Sequence, residues 1–168
     1  MLPNIRNILF AAGLGLDTGY VLAYALSQAQ KYNARIYIIH SHEALNITDQ
    51  SQAEIFMMQE GMADDFDTSA LDTAAKVSDY LEELCQSVLQ KYDVAPDVIG
   101  NIRISEHAPK PAILTAADDF EADLIVMGSH RHTVVADALL GSTTMKILHS
   151  AKVPVLVVRL PEDLSVEL

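Results

Sequence analysis

Apolar positions along the chain alternate between a strand period and a helix period. Residues 5–12 (Ile-Arg-Asn-Ile-Leu-Phe-Ala-Ala) form a short apolar run closed by Gly13 and Gly15, the mark of a buried strand. Residues 17–31 place Val21, Leu22, Ala25, Leu26 and Ala29 on one stripe, which is helical spacing, with Asp17 or Thr18 positioned as the N-cap. Residues 34–40 (Ala-Arg-Ile-Tyr-Ile-Ile-His) predict a second strand. Residues 69–91 predict a long helix with Leu71, Ala74, Ser78, Leu81, Leu84, Cys85 and Val88 turned inward. Residues 98–105 alternate polar and apolar, which suits an edge strand. Pro109 or Pro111 opens a helix that runs to Phe120, since proline is tolerated in a first turn. Residues 124–128 predict a strand, 142–150 a helix and 153–158 a last strand. Residues 41–66 carry no period and read as an excursion, with a short helical piece over 53–62.

Strands that alternate with helices imply an α/β fold: one five-stranded parallel sheet with helices on both faces. The 168 residues suffice for one domain. Crossovers in such sheets are right-handed, and ligands bind beyond the carboxyl ends of the strands where strand order reverses. With the order 3-2-1-4-5, the loops after strand one (13–17), strand two (41 onward) and strand four (128 onward) meet at one crevice.

Charge narrows the partners. The chain carries 23 acidic and 11 basic side chains, a formal net charge of -12. No basic stripe is present, which argues against nucleic acid and against anionic membrane surfaces. Eleven of the acids fall between Glu43 and Glu83 against a single Lys76. That acidic stretch reads as a solvated face, as a partner surface, or as adaptation to a saline habitat. One cysteine, Cys85, excludes internal disulfides and fits a reducing compartment. The start, Met1-Leu2-Pro3-Asn4-Ile5-Arg6, lacks a signal-peptide plan and no apolar run reaches spanning length, so a cytoplasmic protein is expected.

The chemistry concentrates in one stretch. The run Leu124-Ile125-Val126-Met127 stops at Gly128-Ser129-His130-Arg131, and Gly141-Ser142-Thr143 opens the next helical pattern. A strand, a glycine loop and a helix start present backbone N–H groups to an anion, and glycine lets that anion come close. The rival run Gly13-Leu14-Gly15-Leu16-Asp17-Thr18-Gly19 has its last interval one residue too long for a dinucleotide fingerprint, and a turn with a helix cap explains it better.

Spacing and flanks together resemble the universal stress protein family. The family motif is glycine, two residues, glycine, nine residues, glycine, then serine or threonine. Gly128, Arg131 and Gly141-Ser142 keep that spacing, within Ala122-Asp123-Leu124-Ile125-Val126-Met127 before and Leu139-Leu140-Gly141-Ser142-Thr143-Thr144 after. The resemblance implies an adenine nucleotide alpha hydrolase-like fold and a non-enzymatic stress-response module that holds ATP, with or without Mg2+. The binding residues it implies are Ala11, Ala12, Gly13 and Ser41 at the ends of strands one and two. On the glycine loop it implies Met127, Gly128, Ser129, His130 and Arg131, and at the helix start Gly141, Ser142 and Thr143. Two positions depart from the family pattern. Gly13 stands where an aspartate usually ends strand one, and Arg131 replaces the second glycine. The guanidinium of Arg131 either pairs with phosphate oxygens or fills their space. The second outcome gives a ligand-free dimeric adaptor. Slow ATP hydrolysis is a weaker variant of the first.

Other candidates carry less. His40 with His42, and His130 with His132, form two His-x-His pairs at neighbouring strand ends; they read either as a transition-metal cluster or as separate loop and packing residues. Ser142 and Thr143 have no neighbouring base in sequence, and Cys85 on an inner helix face reads as a small apolar residue. The last strand, Val153-Pro154-Val155-Leu156-Val157-Val158, is apolar yet falls at the sheet edge. Pairing with the same strand of a second copy would cover it, and the family resemblance implies the same homodimer. The client protein is unnamed by any residue.

Overall fold

The computed structural model describes residues 1–41, 74–129 and 140–160. The strands are β1 (Asn7–Ala11), β2 (Arg35–Ser41), β3 (Ile99–Ser105), β4 (Leu124–Gly128) and β5 (Val155–Val158). The helices are α1 (Thr18–Tyr32), α2 (Ala74–Lys91), α3 (Pro109–Asp119) and α4 (Ser142–Ser150), with a 3-10 turn at Pro96–Val98. All strand pairs are parallel and the order is β3-β2-β1-β4-β5. The expected fold class, single sheet and strand order are therefore the observed ones.

Side-chain alternation distributes the core over both faces. Successive strand residues point to opposite sides of a sheet. Ile8, Phe10, Ile36, Ile38, Leu124 and Val126 pack with α1 and α2. Leu9, Ile39, Ile125 and Met127 pack with Ile113 and Ala116 of α3 and Ile147 of α4. Central β1 is covered on both faces, and Ile8, Leu9 and Phe10 are at most 1% exposed. The stripe Val21, Leu22, Ala25, Leu26 and Ala29 is buried as its spacing predicts. Small residues let α1 approach α2 closely: a Cβ on Gly19 would sit 3.4 Å from Val88 Cγ2.

Several local expectations are corrected. β5 begins at Val155 and not Val153. Pro154 has no N–H to give a ladder, although its carbonyl accepts from Ile125 N–H at 3.0 Å. The buried face of α2 is Val77, Tyr80, Leu81, Leu84, Cys85, Val88 and Leu89, with Ala74 and Ser78 half-buried. Tyr80 goes inside because its ring is apolar and its hydroxyl reaches the Leu14 carbonyl at 3.4 Å. Asp17 precedes α1 but makes no side-chain cap; the Thr18 N–H bonds the Gly15 carbonyl at 3.0 Å instead. The helical piece over 53–62 and the start of the long helix over 69–73 lie outside the described residues.

Three helices end in the same way. Asn33, Asp93 and Glu121 adopt left-handed backbone at φ 53°, 53° and 49°. Behind each, an amide reaches back five residues: Ala34 to Ala29, Val94 to Leu89 and Ala122 to Ala117, all at 2.9 Å. These are Schellman ends without the usual glycine. They turn the chain sharply into β2, the Pro96–Val98 turn and β4. Asp123 then fixes the start of the central pair, its Oδ2 accepting from the Arg6 and Asn7 amides at 2.8 and 3.0 Å.

Candidate functional site

Strand order reverses at β1, which lies between β2 and β4. The carboxyl ends of these three strands therefore face one crevice. Its best-defined wall is the start of α4. Gly141 holds the N-cap position in extended backbone with no side-chain cap. The first closed helical bond runs from Met145 N–H to the Gly141 carbonyl at 3.0 Å. The Ser142, Thr143 and Thr144 amides of that turn thus lack an intrahelical acceptor, and the helix dipole adds positive potential there. Thr144 is fully buried and its hydroxyl donates to the Gly128 carbonyl at 3.3 Å. That bond ties the helix start to the end of β4.

Gly128 itself answers to packing. A Cβ there would sit 3.1 Å from Val21 Cγ2 and 3.8 Å from both Asp17 Oδ2 and Leu160 Cδ2. So α1 crowds the end of β4, and the half-buried Asp17 carboxylate lies over it. Nearby, burial pushes the Tyr80 phenol well above its ordinary range, and the charge of Asp17 pushes it further. Thr18 is 2% exposed and its hydroxyl has no partner among the described residues.

Other anticipated residues are placed but already engaged. Ala11 ends β1, half-buried, between Ile39 and Met127. The Ala12 N–H donates to the Ile39 carbonyl at 2.9 Å, and its carbonyl lies 2.8 Å from His40 Nδ1. A carbonyl can only accept, so Nδ1 carries the proton and donates. Half-buried Gly13 begins the loop after β1. The Ser41 hydroxyl donates to the His107 carbonyl at 2.6 Å, bracing the ends of β2 and β3. The Met127 side chain is 4% exposed within the core under α3 and α4. The Ser129 N–H donates to the Val158 carbonyl at 2.9 Å, and its hydroxyl accepts from Leu160 N–H at 3.4 Å. His42, His130, Arg131 and His132 lie outside the described residues. Among the described residues no cluster of three or more metal-ligating side chains occurs. His40, weighed as a metal ligand, is buried and ties β2 to the end of β1.

Sequence reasoning misses Thr144, which it takes only as a flank of the motif, and gives Asp17, the last residue of the crevice loop 13–17, only the role of a helix cap. The missed signal was position: Thr144 sits three residues after the N-cap glycine, on the turn that faces the sheet.

Comparison with known proteins adds an independent line. A family model described as the universal stress protein family matches residues 4–159. A universal stress protein of Thermus aquaticus is 30% identical over 137 residues, spanning 82% of this chain and 86% of that protein. Universal stress protein UspA from Lactobacillus plantarum superposes with a TM-score of 0.64 at 21% identity, covering 94% of this chain and all of its own. A universal stress protein solved in complex with cAMP gives 0.63 at 20% identity, covering 94% and 98%. At these identities the two structures speak for the fold.

Proposed function

The chain belongs to the universal stress protein family, and on that premise we propose that it is a non-enzymatic regulatory module that holds ATP, with or without Mg2+, and acts as a cytoplasmic homodimer. The observation that carries this reading is the start of α4. Three first-turn amides, with the Ser142 and Thr143 hydroxyls beside them, are left without an intrahelical acceptor and without a side-chain cap at the switch point of the sheet. Gly141, Ser142 and Thr143 would hold phosphate oxygens, while Gly128, whose Cβ position is filled by α1, keeps the end of β4 within reach of the helix start. Asp17 supplies the opposite polarity. Its carboxylate over Gly128 suits ribose hydroxyl donors and takes the part of the acid missing at Gly13. A crevice that offers both donors and an acceptor matches a nucleotide better than a bare anion. The cAMP complex of a related fold supports the same class of ligand.

A second reading is favoured by the hydrogen bonds already made. The backbone polar groups of Ala12 and the Ser129 amide are spent inside the protein, leaving fewer groups for a ligand. With Arg131 filling the remaining space, the protein would be a ligand-free dimeric adaptor. Equilibrium binding of ATP, with and without Mg2+, separates the two in the wild type and in Arg131→Gly. The nucleotide reading expects the wild type to bind ATP. Binding by Arg131→Gly alone would establish the adaptor instead. In Asp17→Asn, ATP should weaken while inorganic tripolyphosphate does not.

The dimer reading rests on β5, which pairs with β4 on one side and has half-buried Val155, Leu156 and Val157. A charge at Val157 should turn a dimer into monomer in sedimentation experiments, and a soluble dimer that persists refutes this interface. The client remains a matter for capture experiments with the acidic segment 41–66.

A further inference from the structure

A second cleft lies at the other end of β4. Its floor is Leu114 and Ala117 of α3, Ala122, Ile125 near the start of β4, and Val153 before β5. Its volume is about 380 Å³, within the range of small-molecule sites. Ile125 is fully buried and Ala122 nearly so, whereas Asp118, Glu121 and Lys152 are exposed at the mouth. Gly128, at the crevice, closes β4 at its opposite end.

The electrostatics of this mouth favour a cation. Asp118 lies in the last turn of α3 and Ser150 is the last residue of α4, so two helix C-termini direct partial negative charge toward it. Two acidic residues and one lysine stand at the mouth. Lys152 Nζ sits on Asp118 at 3.0 and 3.3 Å, and Glu121 has no ion pair among the described residues. The backbone of Glu121 is held in place: its left-handed turn is locked by the Ala122 to Ala117 bond, and its carbonyl accepts from Asn7 Nδ2 at 3.2 Å. The mouth of this apolar hollow therefore carries one negative charge in excess.

We propose that this cleft is a binding site for a small organic cation with an apolar body, of the arylalkylammonium class. The body lies over Leu114, Ile125 and Val153, and the ammonium group meets Glu121 beside the Lys152–Asp118 pair. This site does not depend on the nucleotide reading.

The test uses the full chain and three probes of matched shape: 2-phenylethylamine, 2-phenylethanol and 3-phenylpropanoate. Amide chemical shifts are followed during each titration. The amine should move Ala117, Ala122, Ser150 and Lys152 with a Kd of about 1 mM or tighter, the alcohol should bind more weakly, and the acid should not bind. Glu121→Gln should weaken the amine about two- to fivefold, and Lys152→Gln should strengthen it by a similar factor, the scale of exposed charge pairs. Both changes are at the surface, so folding is not at stake. Equal binding of amine and alcohol, shifts confined to Gly141–Thr143, or no shifts at several millimolar amine would each overturn the proposal. Shifts of the cleft residues with protein concentration alone would also overturn it, because a second copy would then fill the cleft.

Discussion

Glu121 is the residue whose replacement by glycine should stabilise this protein most. It holds left-handed backbone at φ 49°, where a side chain crowds the following carbonyl. That conformation costs a residue with a Cβ about 1–2 kcal/mol, and glycine gives back about 0.5–1 kcal/mol through its freer unfolded chain. The carboxylate also sits just past the negative end of α3, which adds a few tenths of a kcal/mol against it (~0.3). Glu121→Gly should therefore raise stability by about 1 kcal/mol. Because the carbonyl that binds Asn7 is backbone, that bond survives. Asp93, at φ 53° after α2, should gain less, since aspartate tolerates this region better than glutamate. Asn33 should gain least, under about 0.5 kcal/mol, because asparagine is at home there. Urea unfolding of the three single variants at constant m-value reads these differences directly. In thermal melts each 1 kcal/mol corresponds to about 2–4 °C for a chain of this size. Loss of stability in Glu121→Gly, or an Asn33→Gly gain larger than that of Glu121→Gly, would refute the assignment of strain.

Asp123→Ala should cost about 2 kcal/mol, because the Arg6 and Asn7 amides lose a charged acceptor; hydrogen exchange at residues 6 and 7 should accelerate with it. Gly100→Ala should cost about 1–3 kcal/mol as an overpacked site. Its Cβ would stand 2.7 Å from Tyr37 Cε1, while Tyr37 is stacked on Phe120 at 4.6 Å and Arg103 covers the Phe120 ring at 4.3 Å. Near-ultraviolet circular dichroism should report the displaced tyrosine. The Cys85 thiol, pushed from 9.0 up to about 12 by burial and then by Glu82, should resist thiol reagents at pH 8 until the chain unfolds. Above pH 9 the unfolded chain gives up this proton first, so stability present below pH 9 should fall as the pH rises toward 12, and Cys85→Ala should flatten that slope.

Periodicity made the fold legible because burial on two faces leaves a simple trace. Strands β1 and β4 read as continuous apolar runs, and α1 shows one stripe, since each must satisfy the same core. The helix ends were not legible. Left-handed turns normally announce themselves through glycine, and here Asn33, Asp93 and Glu121 occupy them. The inner face of α2 was read too narrowly for a related reason. Val77 and Leu89 are at most 5% exposed and extend the buried surface beyond one stripe, and Tyr80 turns its hydroxyl to a backbone carbonyl inside the core.

Spacing marks a candidate site but does not apportion it. The glycine loop and the helix start stand out in the sequence, and at Gly128 the close approach of α1 restricts residue choice. Which amides remain for a ligand depends on long-range partners that no local pattern encodes. In sequence Ser129 and Ser142 are both candidate donors, yet β5 takes the Ser129 amide through Val158, twenty-nine residues onward in the chain. The strand whose free edge invites a second subunit thus removes one donor from the crevice through its other edge, and Thr144 moors α4 to the Gly128 carbonyl beside it. On the proposed reading an anion would meet the Ser142, Thr143 and Thr144 amides, which have no intrahelical acceptor. A nucleotide bound as proposed would set its phosphates on α4 and its sugar toward Asp17.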